Sequence, residues 1–367
     1  MADPRLRRWA EVLVRYSVGV KAGDKLAISG PPLAAPLLTE CYREALRVGA
    51  YPDVISGVPG LQEIFLREAN EEQLKYISPL QELVIGQFDA TLQIMADENT
   101  RELAGADPAR QAIQAQAHHS LVETFMRRQA VGDLKWSLTL YPTNAYAQDA
   151  GMSLADFTEF VYEACFLNDE DPVARWKELG AKQQRLVDWL KGKDQIHVVA
   201  KDTDLHLSVK DRIFINADGQ KNFPDGEFFT GPVEDSVNGH IRFTLPAMFQ
   251  GRPVEGVRVR FEAGQVVEAT ADVGQDLLEQ MLNMDDGAKR LGEFAFGNNF
   301  GISRGIKNIL FDEKIGGSVH MALGAGYPDT GSKNESALHW DMICDLRDGG
   351  EVWVDGQLFN KNGQFVV

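Results

Sequence analysis

Between Glu313 and Asp341 the chain carries His320, Tyr327 and His339 among short glycine-rich segments. His339-Trp340-Asp341 places an imidazole and a carboxylate two residues apart, and in a strand such side chains share one face and can reach one ion. Imidazole with carboxylate suits zinc, cobalt or manganese, and three scattered cysteines, Cys41, Cys165 and Cys344, do not form a thiolate metal knuckle. By itself the His-x-Asp spacing is more simply explained as a strand with a hydrogen-bonded histidine beside an unrelated aspartate.

Two further carboxylates stand in unusual company. Glu227 lies within Phe223-Pro224-Asp225-Gly226-Glu227-Phe228-Phe229, and Glu293 within Leu291-Gly292-Glu293-Phe294-Ala295-Phe296. An exposed turn would account for either. If the flanking residues are buried, however, the carboxylates must be paired, hydrogen-bonded or metal-bound. The five other histidines, including the pair His118-His119, read as ordinary surface or satisfied residues.

The elements that must position these groups fall into two grammars. Leu6, Trp9, Ala10, Leu13, Val14 and Ser17 recur at three-and-four spacing and predict an opening amphipathic helix ending at Gly19. Lys25 to Ser29 reads as a strand, Leu37 to Val48 as a helix and Tyr51 to Ser56 as a second strand, a βαβ unit that implies parallel pairing. Glu82 to Ile85, Ala90 to Met95 and Lys135 to Tyr141 are further strand candidates. Helices are expected over Pro108 to Gln129 and Leu154 to Phe166. The turn Gly30-Pro31-Pro32 is no phosphate loop, because proline lacks the N–H such loops aim at an anion.

After a charged helix from Pro172 to Lys193 the pattern changes to short strands joined by Asp, Gly and Asn turns. Ile196 to Ala200, Leu205 to Val209, His240 to Leu245, Val257 to Phe261 and Val266 to Thr270 are expected strands, with a hairpin at Ala263-Gly264 and a helix near Asp276 to Arg290. The expected architecture is therefore α/β: an N-terminal α/β domain with a mostly parallel sheet over 1–193, then a β-rich domain over 194–367. At 367 residues the chain exceeds what one core usually supports.

Composition narrows the function class. Apolar residues make up 44% and charged residues 25%, as in globular domains. A net charge of -17, from 54 acidic and 37 basic residues, disfavours nucleic acid as a partner. No stretch has the length of a membrane span or a signal-peptide core, and the odd, scattered cysteines fit a reducing compartment, so a cytoplasmic location is expected.

Five segments carry a resemblance in order and approximate spacing. They are Phe223 to Pro232, Asp285 to Glu293, Phe311 to Gly317, His320 to Gly324 and His339 to Ile343, and they resemble the thermophilic metalloaminopeptidase family of the aminopeptidase T and aminopeptidase S type. Leu140 to Gln148 and Ala150 to Leu154 extend the likeness over nearly the whole chain. The segment between Tyr327 and His339 is shorter than in that family, which touches the local loop and substrate choice. The resemblance implies a barrel-like α/β catalytic domain, a homodimer, and metal ligands at Glu227, Glu293, His320, Tyr327, His339 and Asp341, with Glu313 at a further acidic position of the site.

That set suffices for two divalent ions (Zn, Co, Mn or Mg) if one carboxylate and a water bridge them. Three carboxylates against two dications leave one positive charge, which a bridging hydroxide cancels. The implied activity is hydrolysis of short peptides from a free N-terminus, with Glu313 as proton shuttle and Tyr327 as metal ligand or oxyanion donor. Two other classes compete. A non-haem iron oxygenase needs only two histidines and one carboxylate, and the extra oxygen ligands would close its open positions. A peptide-binding protein without catalysis is disfavoured because every ligand position holds a competent residue type.

Overall fold

The computed structural model describes residues 3–249 and 251–367. The chain divides into two compact units: residues up to Arg175 with Gly219–Pro224, and Trp176–Asp218 with Asp225–Val367. The edge between them lies inside the helix Pro172–Leu190, ahead of Asp194.

The first unit is built on a five-stranded parallel sheet in the order Tyr51–Ile55, Lys25–Ser29, Ala90–Met95, Lys135–Leu140, Asn222–Phe223. The βαβ unit is present, with Lys25 opposite Tyr51 and the helix Ala35–Val48 between them. Gly49 ends that helix in the left-handed conformation, φ 88°, which only glycine adopts without cost. The opening helix buries Trp9, Val12, Leu13 and Val14 completely.

The segment Glu82 to Ile85 is not a strand but part of the helix Pro79–Gln87. Ser78 caps it by accepting from the Leu80 N–H, and Pro79 occupies the first turn, where its missing N–H costs nothing. A four-residue apolar run is ambiguous between the two states, and the cap decides it. The expected helix over Pro108 to Gln129 is two helices, Pro108–Ala117 and His119–Ala130. At the break the His118 ring nitrogen Nδ1 bonds the Gln114 carbonyl at 2.8 Å.

The second unit is antiparallel. An eight-stranded sheet contains Gln195–Ala200, Thr203–Ser208, Asn238–Arg242, Arg258–Glu262 and Gln265–Thr270, and a two-stranded ribbon joins Ala247–Phe249 to Arg252–Val254. The hairpin falls where expected, with Ala263 and Gly264 both at positive φ. The helix expected near Asp276 to Arg290 is shorter, Gln275–Leu282, followed by a 3₁₀ turn Asp286–Lys289. A separate five-stranded sheet runs His339–Asp345, Ser318–Gly324, Leu291–Gly297, Glu227–Thr230, Ile215–Ala217.

Strand parity in this last sheet separates core from chemistry. Phe228, Phe294, Phe296, Val319, Met321, Trp340 and Met342 point into the unit's hydrophobic core. Phe228 stacks on Phe296 with ring centres 4.9 Å apart. The alternate positions, Glu227, Glu293, His320, His339 and Asp341, share the opposite face.

Candidate metal centre

Register determines the room available on that face. His320 lies opposite Ala295, Asp341 opposite Ala322, His339 opposite Gly324 and Glu227 opposite Gly297. A bulge beside Gly292 brings Glu293 opposite Ala322 as well. Each long polar side chain thus has a small neighbour across the ladder. The five can lean toward one another instead of being held apart by bulk.

They converge. His320 Nε2 is 3.2 Å from Glu227 Oε2 and 3.2 Å from Glu293 Oε1. His339 Nε2 is 3.7 Å from Glu293 Oε2 and 3.5 Å from Asp341 Oδ2. Three trios hold ligand atoms within 4.8 Å of one another: Glu227, Glu293 and His320; Glu293, His339 and Asp341; and Glu313, His320 and Asp341. Glu293 belongs to the first two and offers one oxygen to each. Tyr327 lies at the rim, half exposed, its ring centre 5.1 Å from that of His339 and 5.4 Å from that of Phe229.

Supporting groups hold the trios in place. The His339 Nδ1–H donates to the Ala325 carbonyl at 2.8 Å, which leaves Nε2 as the nitrogen with a lone pair facing the carboxylates. Gln183, fully buried on the helix Pro172–Leu190, donates to the Glu227 carbonyl at 2.9 Å and to Asn216 Oδ1 at 2.7 Å, pinning the strand that carries Glu227. Gly226, at φ 113°, lets the chain pass Asn299, whose Cβ would stand 2.8 Å from any added Cβ.

Lys314 is the residue sequence reasoning missed. Its ammonium is buried, 3.0 Å from Glu227 Oε1, and it also contacts Glu313 Oε1. Beside Glu313 in sequence it reads as half of a surface pair. The available signal was its setting, Phe311-Asp312-Glu313-Lys314-Ile315, where apolar neighbours imply burial.

The electrostatics follow from this packing. Burial works against the Lys314 charge, but Glu227 and Glu313 outweigh it and lift the ammonium well above its usual range. Burial would likewise raise Glu227, yet Lys314 and His320 bring it down to about 2. Glu293, equally buried and facing Asp341 and Glu227, is raised despite His320, and burial pushes Glu313 up to about 8.

The donor set fits divalent metal. Glu227 Oε2 is buried with only the His320 ring nearby, at 3.2 Å, which leaves lone-pair capacity for an ion. The 3.2–3.7 Å spacings are those of neighbouring ligands around an ion bound at about 2.0–2.2 Å.

Residues 2–365 match the family model of the thermophilic metalloproteases, M29. Aminopeptidase 2 of Geobacillus stearothermophilus is 30% identical over 94% of this chain and 93% of its own length. Aminopeptidase T of Thermus thermophilus is 26% identical over 96% and 94%. The solved structure of wild-type AmpT from Thermus thermophilus shares the fold across 99% of both chains, with a TM-score of 0.86 at 23% identity.

Proposed function

Because this chain belongs to the M29 family of thermophilic metalloproteases and is a metal-dependent peptidase, we propose that it is a two-metal aminopeptidase acting on short peptides. The observation that carries this reading is Glu293, whose two oxygens face the two histidines, each within a separate trio of ligand atoms. Glu227, Glu293 and His320 would hold one ion, and Glu293, His339 and Asp341 the other. When bound, the pair supplies a water whose pKa falls from about 15.7 to about 7 and a Lewis acid for the scissile carbonyl.

The chain's own residues do the rest. Glu293, with an oxygen toward each histidine, would serve both positions. His339 keeps its Nε2 directed inward through its bond to Ala325. Glu313 stands within reach of His320 and Asp341 and is backed by Lys314, a position from which it moves a proton from the attacking water to the leaving amine. Tyr327, beside His339, would supply its hydroxyl to a metal position or to the oxygen that gains charge in the transition state.

Reading of the free N-terminus is supported by the relatives, which are aminopeptidases by name. A free α-amine, once deprotonated, competes for an ion's open position, whereas an acetylated amine has lost that lone pair. Leu-Gly-Gly should be cleaved from its N-terminus and acetyl-Leu-Gly-Gly roughly 10²-fold less well in kcat/KM, about 2.7 kcal/mol. Equal cleavage of both, followed by chromatography of the product amines, would reject the aminopeptidase reading.

The same reading includes a cytoplasmic homodimer with a preference for apolar first residues. Its support is the resemblance to the family and three free, buried thiols, Cys41, Cys165 and Cys344, which suit a reducing compartment. No described helix is long and apolar enough to cross a membrane. Light scattering should give twice the 40.7 kDa chain mass. A fully active monomer would remove the dimer from the account.

A further inference from the structure

The eight-stranded sheet of the second unit carries a second cluster of ligand-type side chains, built by the same strand logic on a different surface. In strand Gln195–Ala200 the residues Ile196 and Val198 are buried, and in strand Thr203–Ser208 so are Leu205 and Leu207. Parity therefore sends His197, Asp204 and His206 to the outer face. Register places His197 directly opposite His206, and Asp204 opposite His240 of the next strand.

The two imidazoles stack nearly parallel, with ring centres 3.8 Å apart and planes 13° apart. Both Nε2 atoms face one carboxylate oxygen, Asp204 Oδ1, at 2.8 Å from His197 and 3.5 Å from His206. A hydrogen bond accounts for the first contact. It does not account for the second, which is at the limit of hydrogen bonding and directed at an oxygen already engaged. Three ligand atoms lie within 4.8 Å of one another, and because both rings reach solvent they can turn about their side-chain torsions, out of the stack, until both lone pairs point at one ion.

We propose that His197, Asp204 and His206 form a surface site for a single divalent transition metal of the zinc type, separate from the buried cluster and sharing none of its residues. Ligand atoms about 2.0–2.2 Å from a tetrahedral ion lie about 3.3–3.6 Å from each other. The His206–Asp204 separation of 3.5 Å already meets that, while the His197–Asp204 pair must open slightly and the two rings must swing out of their stack to admit the ion. Two neutral imidazoles and a carboxylate balance half-soft and hard donors, which selects zinc, copper or nickel over magnesium and calcium. All three side chains reach solvent, with Asp204 59% and His206 55% exposed, so an ion enters without any opening of the fold and water completes its shell.

The test uses the complete, metal-loaded enzyme dialysed against graded free Zn²⁺, with bound zinc counted per chain for wild type and for the double variant His197→Gln, His206→Gln. The wild type should hold one more ion than the variant, and Asp204→Asn should weaken that ion by about tenfold or more. Leu-Gly-Gly turnover should be the same in all three, which also reports that the variants fold. Because the readout is the difference between wild type and variant, it stands whatever number of ions the buried cluster holds. Equal zinc content at every free concentration would overturn the site, as would an extra ion that survives the double substitution.

Discussion

Lys314 Nζ lies 3.0 Å from Glu227 Oε1, with 1% and 7% of the two side chains exposed, so a proposed metal ligand is held by a buried ammonium. The same ammonium contacts Glu313. Removing one partner of a buried ion pair strands the other, at a cost of about 3–5 kcal/mol. Lys314→Met should therefore destabilise the metal-free protein by about 3 kcal/mol or more in urea unfolding. Bound ions supply positive charge nearby, so added metal should recover part of the loss. A loss below about 1 kcal/mol, unchanged by metal, would show that Lys314 does not hold these carboxylates.

The two trios share Glu293 but not Asp341. Glu293→Gln should consequently weaken both ions, whereas Asp341→Asn should weaken one and leave the other bound at Glu227, Glu293 and His320. Either change should lower turnover by about 10³-fold or more, because a site that depends on paired ions fails when one is missing. Metal analysis distinguishes the two variants where activity does not. Equal metal content in both would remove the bridging role of Glu293.

A pH effect on stability is expected far from the cluster. Glu44 is buried between Arg15 at 2.5 Å and Arg47 at 3.0 Å. Burial opposes its charge, but the two guanidinium groups outweigh this and lower the carboxyl from 4.5. A carboxyl lowered on folding contributes stability above its unfolded pKa and loses it as pH falls through the folded one. Wild type should exceed Glu44→Gln by about 1–3 kcal/mol at pH 7, and the gap should close below about pH 4.5. A gap independent of pH, followed by thermal unfolding, would contradict the ion-pair account.

Much of the site is legible before folding because strand parity is local. His339-Trp340-Asp341 announces one face for His339 and Asp341, and the strand His339–Asp345 does bury Trp340 in the core on the other side, whereas the strand Leu291–Gly297 around Glu293 is buried throughout and carries no such alternation. What parity cannot supply is register. That Ala322 stands opposite Asp341 and Ala295 opposite His320 depends on pairing between strands distant in sequence. Lys314 escaped for a related reason: its partner Glu227 lies far away in sequence, while its neighbour Glu313 offers a ready surface explanation. The helix at Pro79–Gln87 shows the opposite failing, a local cap at Ser78 overlooked in favour of a short apolar run.

If two ions held by Glu227, Glu293, His320, His339 and Asp341 perform the hydrolysis, activity must follow the number of ions bound. The direct measurement is turnover of Leu-Gly-Gly by chelator-stripped enzyme, at a protein concentration well above the metal dissociation constants, as Zn²⁺ or Co²⁺ is added in known equivalents. The metal-free protein should be inactive, and activity should rise to a break at two equivalents per chain. Full activity without metal, or a plateau already reached at one equivalent, would contradict it.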